Sequence, residues 1–409
     1  RLLRPDSFGA GLPGEPAIDK PEIAHWFHEQ ELEFDITLVI PDEADLAFAK
    51  EAIEEADGIL FVASGGDAGL SELERHALET RGPQNCWLLL SENISRQGHK
   101  YARWIEPRCY GSMRRADFGS PDAVRLMCQG LLGRGKAVAA ASRGVYAAAI
   151  FGALQALEEH GQPAVCLAAA GSAILPAGLL ASGYKPPVIE EVFRELANPL
   201  LWKRTSRPEA GLCDPAALDS FLVNRLKGLE IPLACRPFAA VSHSLSAGAP
   251  EIHREGRLHG AVRAGIAPAG IFPPLILDGG DILVSGEHET EALIAAAQEL
   301  TASPVTYLHA VARPLGPSSV TYRSLTASSL FRLTQSPLDK CVRFENLLGA
   351  FNGNGRLREN VRSLAIPVPE GILPMDWPEW AALRDAAYYW TSKELDAAAG
   401  EQGLVRPDH

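Results

Sequence analysis

The sequence predicts an α/β protein. Its main part is a three-layer domain with a central, mostly parallel sheet, and a small α/β domain precedes it. Three observations carry this reading. Strand-like and helix-like stretches alternate between residues 35 and 91. A second alternation starts at KAVAAA, Lys136–Ala141. The stretch CLAAAGSAILPAGLLASG, Cys166–Gly183, reads as a buried strand that turns sharply into a helix. Such alternation builds parallel sheets, because each return to a parallel strand needs a crossover, usually a helix.

Residues 1–20 hold Gly, Pro and Asp without period and read as a loop or linker. Pro21-Glu22 opens the helix IAHWFHEQEL. DITLVI, Asp35–Ile40, is a β-rich apolar run, and Leu46, Ala49, Ile53 and Ala56 then recur at helical spacing. GILFVAS, Gly58–Ser64, is a second strand, LSELERHALE a helix, and CWLLLS, Cys86–Ser91, a third strand. The glycine-rich SGGDAG after the second strand has the composition of a phosphate cradle. No G-x-G-x-x-G follows, so a simple turn is expected. Residues 92–133, with Arg103, Arg108, Arg114 and Arg115, read as a connector with short helices, so the small domain and connector span 21–133. The larger domain is expected over 134–395 and a tail over 396–409. Its strand at Lys136–Ala141 leads to a helix over Gly144–His160, a strand at Ala164–Ala169 and a helix beginning near Ser172. Later strands are expected at LACRPFAAVS, GDILVS and PVTYLHAV. Later helices are expected at Pro215–Leu229, Thr290–Leu300, Leu338–Ala350 and Trp380–Leu395.

Composition narrows the function classes. Hydrophobic residues make up 46% of the 409, enough for a sizeable core. A net charge of −13 argues against a broad nucleic-acid surface, and against anionic membrane unless a local basic patch intervenes. Asn198–Arg204, NPLLWKR, is one such patch, with apolar residues followed by a basic pair. It reads either as an interfacial lipid contact or as a helix end packed on the core, and the second is expected. Seven Cys are scattered from Cys86 to Cys341 without a C-x-x-C pair or metal spacing. Free thiols in a reducing, cytoplasmic setting are the simple expectation, with no metal and no cofactor. His243, His253 and His259 lack ligand spacing and read as structural. No uninterrupted apolar run of the ~18 residues of a membrane span exists, so peripheral association is the membrane contact left open. An opening Arg1 rather than Met is compatible with a missing upstream segment.

Several long blocks, in order, resemble the patatin-like phospholipase family. SRGVYAAAIFGALQALEEHG, Ser142–Gly161, is similar to the family's first helix, and AILPAGLLASG follows at the spacing of its nucleophile helix. EIHREGRLHGAVRAGIAPAGIFPP, Glu251–Pro274, is similar to the stretch leading to the catalytic aspartate. WFHEQELEFDITLVIPDEADLAFAKEAIEEADGILFVA and the late IPVPEGILPMDWPEW resemble the neuropathy target esterase branch. The resemblance spans roughly residues 20 to 395. It implies a Ser-Asp dyad that cleaves acyl esters of phospholipids and lysophospholipids. Such a dyad needs a serine on a strained elbow, a carboxylate to orient it, and a glycine-rich loop for the oxyanion.

This chain departs from the family at each of those three places. The oxyanion loop G-G-G-x-R-G matches Ala139-Ala140-Ala141-Ser142-Arg143-Gly144, with three glycines replaced by alanines. The elbow G-x-S-x-G matches Ala169-Ala170-Gly171-Ser172-Ala173, which puts Gly171 at the nucleophile position. Ser172 is one residue late and is expected to cap the following helix. Two placements of the carboxylate are open. Asp278-Gly279-Gly280 has the family's D-G-G, but matching strand to strand makes it a hairpin turn and puts the catalytic position on Ser285. Glu287, His288 and Glu289 lie just beyond, as solvated turn residues or as parts of a remodelled site. The expected function is therefore a catalytically inactive, pseudo-phospholipase protein that binds an acyl lipid or a protein partner through the vestigial cleft. The alternatives are an active serine esterase or lysophospholipase using Ser172 with Asp278, and a purely structural subunit.

Overall fold

The computed structural model describes residues 2–3, 20–34, 37–41, 46–63, 69–91, 104, 112–116, 118–132, 134–205, 211–266, 271–301, 303–312 and 361–403. SGGDAG (apart from Gly69), the tail beyond residue 403 and the helix expected at Leu338–Ala350 lie outside the described residues. The chain divides into two compact units, Arg1–Phe118 and Gly119–His409.

The first unit contains β1 (Leu2–Leu3), α1 (Lys20–Glu33), β2 (Leu38–Val39), α2 (Leu46–Glu55), β3 (Ile59–Ala63), α3 (Glu72–Thr80), β4 (Cys86–Ser91) and β5 (Ser112–Ala116). Strands β3, β4 and β5 form a parallel sheet in that order. Helix α3 opens on a capping box. The Ser71 hydroxyl accepts from the Glu74 N–H at 3.1 Å, and the Glu74 carboxylate accepts from the Ser71 N–H at 2.9 Å. Two expectations are corrected here. Of the described residues within Asp35–Ile40, only Leu38–Val39 is strand, and it pairs with β1 instead of joining β3. The stretch read as a connector supplies β5, with Leu88 opposite Met113. SMRRA carries no strand pattern of its own; its pairing with the buried β4 decides its conformation, as tertiary context commonly does for strands.

The second unit runs α4 (Pro121–Leu131), β6 (Lys136–Ser142), α5 (Ala147–Glu159), β7 (Ala164–Gly171), α6 (Ile174–Ala181), α7 (Pro186–Leu196), α8 (Ala216–Arg225), β8 (Phe238–Ser244), β9 (Ala249–His253), α9 (Leu258–Ile266), β10 (Leu275–Ile276), β11 (Ile282–Ser285), α10 (Thr290–Leu300), β12 (Val305–Ala312), β13 (Val361–Val368) and α11 (Trp380–Gly403). Its sheet has the order β10-β11-β8-β7-β6-β12-β13, with β9 also on β8. Strands β8, β7, β6, β12 and β13 are parallel.

Both faces of this sheet are covered, which is why its central strands read as unbroken apolar runs. Val138, Ala140, Leu167 and Ala169 pack into one core with α5, α6, α7, α9 and α11. Ala137, Ala139, Ala141 and Ala168 point to the other face, against Leu293, Ala296 and Ala297 of α10. The result is three layers, with the sheet between helices. Alanine-rich strands bring both helical layers close, and the large side chains come from the helices and the turn before α11: Phe151, Phe193 and Trp380 from the first, Trp377 from the second.

Candidate functional site

Strand β7 ends at Gly171, and α6 starts three residues later. Gly171 has φ +64°, in the left-handed region. This strand, tight turn and helix have the shape of a nucleophile elbow. The turn has no room for a side chain at its apex. A Cβ on Gly171 would lie 2.1 Å from the carbonyl oxygen of Ser142 and 2.9 Å from Cβ of Glu287.

Ser172 is completely inaccessible. Its hydroxyl lies 2.9 Å from the hydroxyl of Ser142, at the end of the adjacent β6, and its N–H donates to the Ser142 carbonyl at 2.9 Å. The expectation that the Ser172 side chain caps the helix is corrected. The N-cap position of α6 is Ala173, without a side-chain cap, and only the Ser172 main-chain carbonyl accepts from Leu175. The hydroxyl turns towards β6, where the buried Ser142 hydroxyl offers a hydrogen-bond partner.

The carboxylate is placed by the pairing of β8. Residues 238–241 pair with β7, residues 242–244 with β11, and residues 240–244 with β9. Since β9 overlaps both others, β7 and β11 share the opposite edge of β8, end to end. Strand β11 runs antiparallel towards β7, with Ser285 opposite Ser242, one residue beyond the Val241–Ala170 pair. Ser285 thus meets the elbow. Asp278 lies at the other end, exposed in the β10–β11 hairpin turn, where the Gly280 N–H donates to the Leu277 carbonyl. From Asp281 to Ser285 is about 13 Å at ~3.3 Å per residue. The structure therefore does not bring Ser172 and Asp278 together, and the strand-matched position at the elbow is Ser285.

Glu287 supplies a carboxylate there. Its Oε1 accepts from Arg143 Nε at 3.0 Å, and its Oε2 accepts from the Ser285 hydroxyl, which also lies 3.1 Å from the Gly265 carbonyl. The Arg143 and Glu287 side chains are 15% and 10% exposed. Burial alone would raise the Glu287 carboxyl. The Arg143 guanidinium, His288 and the Ser285 hydroxyl outweigh it and hold the group below the ordinary carboxylate value. The sequence offered a signal for this. Glu287 stands two residues past Ser285, in the turn that follows the strand, close enough in the chain to bring a carboxylate to the position where Ser285 lacks one.

The glycine-poor loop is strand and turn. Ala139, Ala140 and Ala141 are interior residues of β6, buried and paired on both sides with β7 and β12. Gly144 has φ +53°, and a Cβ there would lie 1.9 Å from the carbonyl oxygen of Pro374. That same carbonyl accepts from the Val145 N–H at 2.7 Å. The Tyr146 hydroxyl donates to the Ile372 carbonyl at 2.9 Å. A segment from the end of the chain therefore occupies a free N–H at the amino end of α5, where an anion would otherwise find donors. Of the residues expected to line a vestigial cleft, all but Arg143 are buried.

The other candidates are structural in their surroundings. His253 lies 2.6 Å from the buried Ser242 hydroxyl; burial lowers its pKa and Glu251 opposes the shift. His243 lies 2.6 Å from Glu289, and burial lowers the pKa of His259, with Arg257 adding to the effect. No group of three or more His, Cys, Asp or Glu among the described residues is placed to hold a metal. No described helix is long and apolar enough to cross a membrane. In NPLLWKR, Trp202 is turned inward. It stacks on Trp377 at 4.7 Å, meets the Phe272 ring edge-on at 5.6 Å, and donates from Nε1 to the Leu196 carbonyl.

Neither a protein-family profile nor any curated protein sequence matches the chain. Among solved structures, it is similar to VipD from Legionella pneumophila, with 12% identity over 64% of this chain and 67% of that one, at a TM-score of 0.35.

Proposed function

We propose that this chain is a catalytically inactive, patatin-like protein that acts by binding an acyl lipid or a protein partner, without turnover. The observation that carries the reading is Gly171, which sits at the apex of the elbow with no space for a side chain. Three further features point the same way. Ser172 is buried against Ser142, the carboxylate near the elbow is engaged by Arg143, and the Val145 N–H is taken by Pro374. A serine nucleophile needs an exposed hydroxyl with a base beside it and donors for the oxyanion. Treatment with a fluorophosphonate probe, read by intact-protein mass spectrometry, tests the reading. No adduct is expected. Stoichiometric labelling that disappears in Ser172→Ala would make the chain a serine hydrolase and end the inactive reading.

A further inference from the structure

We propose that the turn Pro199–Trp202 and the two-stranded bridge that follows it form a docking surface for anionic phospholipid bilayers. The surface is built from residues other than those at the elbow. Leu200 is 58% exposed and Leu212 is 48% exposed. Between them in the chain stand Lys203 and Arg204, both exposed. The segment is held rigidly. Asn198 Oδ1 accepts from the Leu200 N–H at 3.0 Å, and Trp202 is anchored between Trp377 and Phe272. Arg204 bridges to Cys213, and the Thr205 N–H donates to the Leu212 carbonyl at 3.0 Å, which brings Leu212 back beside the basic pair. The rigid inner side explains the outer side. Trp202 and Cys213 face the core, so Leu200 and Leu212 remain outside for reasons other than poor packing.

Charge selects the occupant. The chain carries a net charge of −13, yet neither Lys203 nor Arg204 makes an ion pair among the described residues. The one carboxylate paired across the bridge, Asp214, accepts from the Ala216 N–H at the start of α8. Cations with no ion pair among the described residues, set between exposed leucines, match the two layers of a membrane interface, with headgroup phosphates for the first and the acyl boundary for the second. An acidic protein would use the cations but gives no reason for two exposed leucines beside them.

The experiment is co-sedimentation of the full chain with vesicles of phosphatidylcholine alone or mixed with phosphatidylserine. Binding is expected to the mixed vesicles, to weaken with salt, and to be far weaker on phosphatidylcholine. Lys203→Gln with Arg204→Gln should lower the partition coefficient by about twenty-five-fold, since each basic residue near an anionic surface contributes roughly five-fold. Leu200→Ala with Leu212→Ala should lower it on the same vesicles. Melting temperatures should stay unchanged, because none of the four side chains is buried. Binding that ignores phosphatidylserine, or that survives both double variants, overturns the proposal. So does an absence of binding to the mixed vesicles, and self-association that Leu200→Asp abolishes would then make a second copy the occupant. The readout is partition, so its failure and the failure of the inactive reading are separate outcomes.

Discussion

A glycine at the apex of a strand-to-helix turn accepts a backbone that L-residues resist, and at Gly171 the space around it adds a second restriction. The left-handed conformation costs a non-glycine residue about 1–2 kcal/mol. A side chain pressed against the Ser142 carbonyl and Glu287 adds roughly 1–3 kcal/mol of overpacking. Gly171→Ser is therefore expected to lose stability in urea unfolding and to gain no turnover of a p-nitrophenyl ester. Restoring one group of a set that acts together gains little even where it fits. Rapid ester hydrolysis by the single variant would show that the remaining departures matter less than the glycine. The neighbouring serine pair makes a second test at this scale. Ser172→Ala leaves the buried Ser142 hydroxyl without this partner, at a cost of about 1–3 kcal/mol, whereas removing both hydroxyls relieves that cost. The double variant Ser142→Ala, Ser172→Ala should thus be less destabilised than the sum of the singles. Strict additivity would mean that the two hydroxyls do not depend on each other.

Between elements, the Arg143–Glu287 pair ties the turn after β6 to the turn after β11 across the elbow. Breaking such a mostly buried pair leaves one charge uncompensated, so Arg143→Met is expected to cost about 3 kcal/mol. The pair also carries a pH signature. The folded-state pKa of Glu287 is depressed, so its stabilisation is fully present above the unfolded value of about 4.3 and is lost as pH falls through the folded value. The stability difference between the parent and Glu287→Gln should be constant above about pH 5 and narrow below about 4.3, where carboxylates protonate. A difference that stays flat into strong acid would remove the ion pair as its cause. Part of this arrangement was legible in the sequence. Strand matching assigned Asp278 to a turn and Ser285 to the elbow, because hairpin residues have a local signature. The Ser142–Ser172 bond was not legible, since it depends on the register between β6 and β7, and local preference suggested a helix cap instead. The Pro374 carbonyl on Val145 was hidden for the same reason, because no local pattern reports a meeting of segments so distant in the chain.

Across the larger unit, the strands of the sheet are mostly small residues, so the bulk of the core comes from helices that cover it. Local periodicity was enough to find α5, α6, α10 and α11, whose apolar faces are long. It missed β5 and the two-residue β10, which exist through their neighbours, and also β9, β13, α7 and α9. The pairing of α5 with α11 can be tested. Helix α5 is buried along nearly its whole length, and α11 lies against it. The approach is close because position 152 is glycine. A Cβ there would lie 2.1 Å from the carbonyl oxygen of Arg384. Just before α11, the same end of the chain supplies Pro374 to Val145 and Trp377 to the core. Undocking α11 would expose Trp380, Leu383, Ala387 and Leu395 together with their partners on α5. At roughly 1.5–3 kcal/mol per large apolar side chain, that exposure is comparable to the roughly 5–15 kcal/mol by which a domain is stable. Gly152→Leu should therefore lower the melting temperature sharply and make the C-terminal helix a site of proteolytic cutting. Gly161→Ala is the matched control. Its added Cβ meets no atom within 4 Å, so its only penalty is the left-handed backbone, and the expected loss is about 1–2 kcal/mol. Equal melting temperatures for the two variants would show that α11 does not bear on α5 as closely as the Arg384 carbonyl implies.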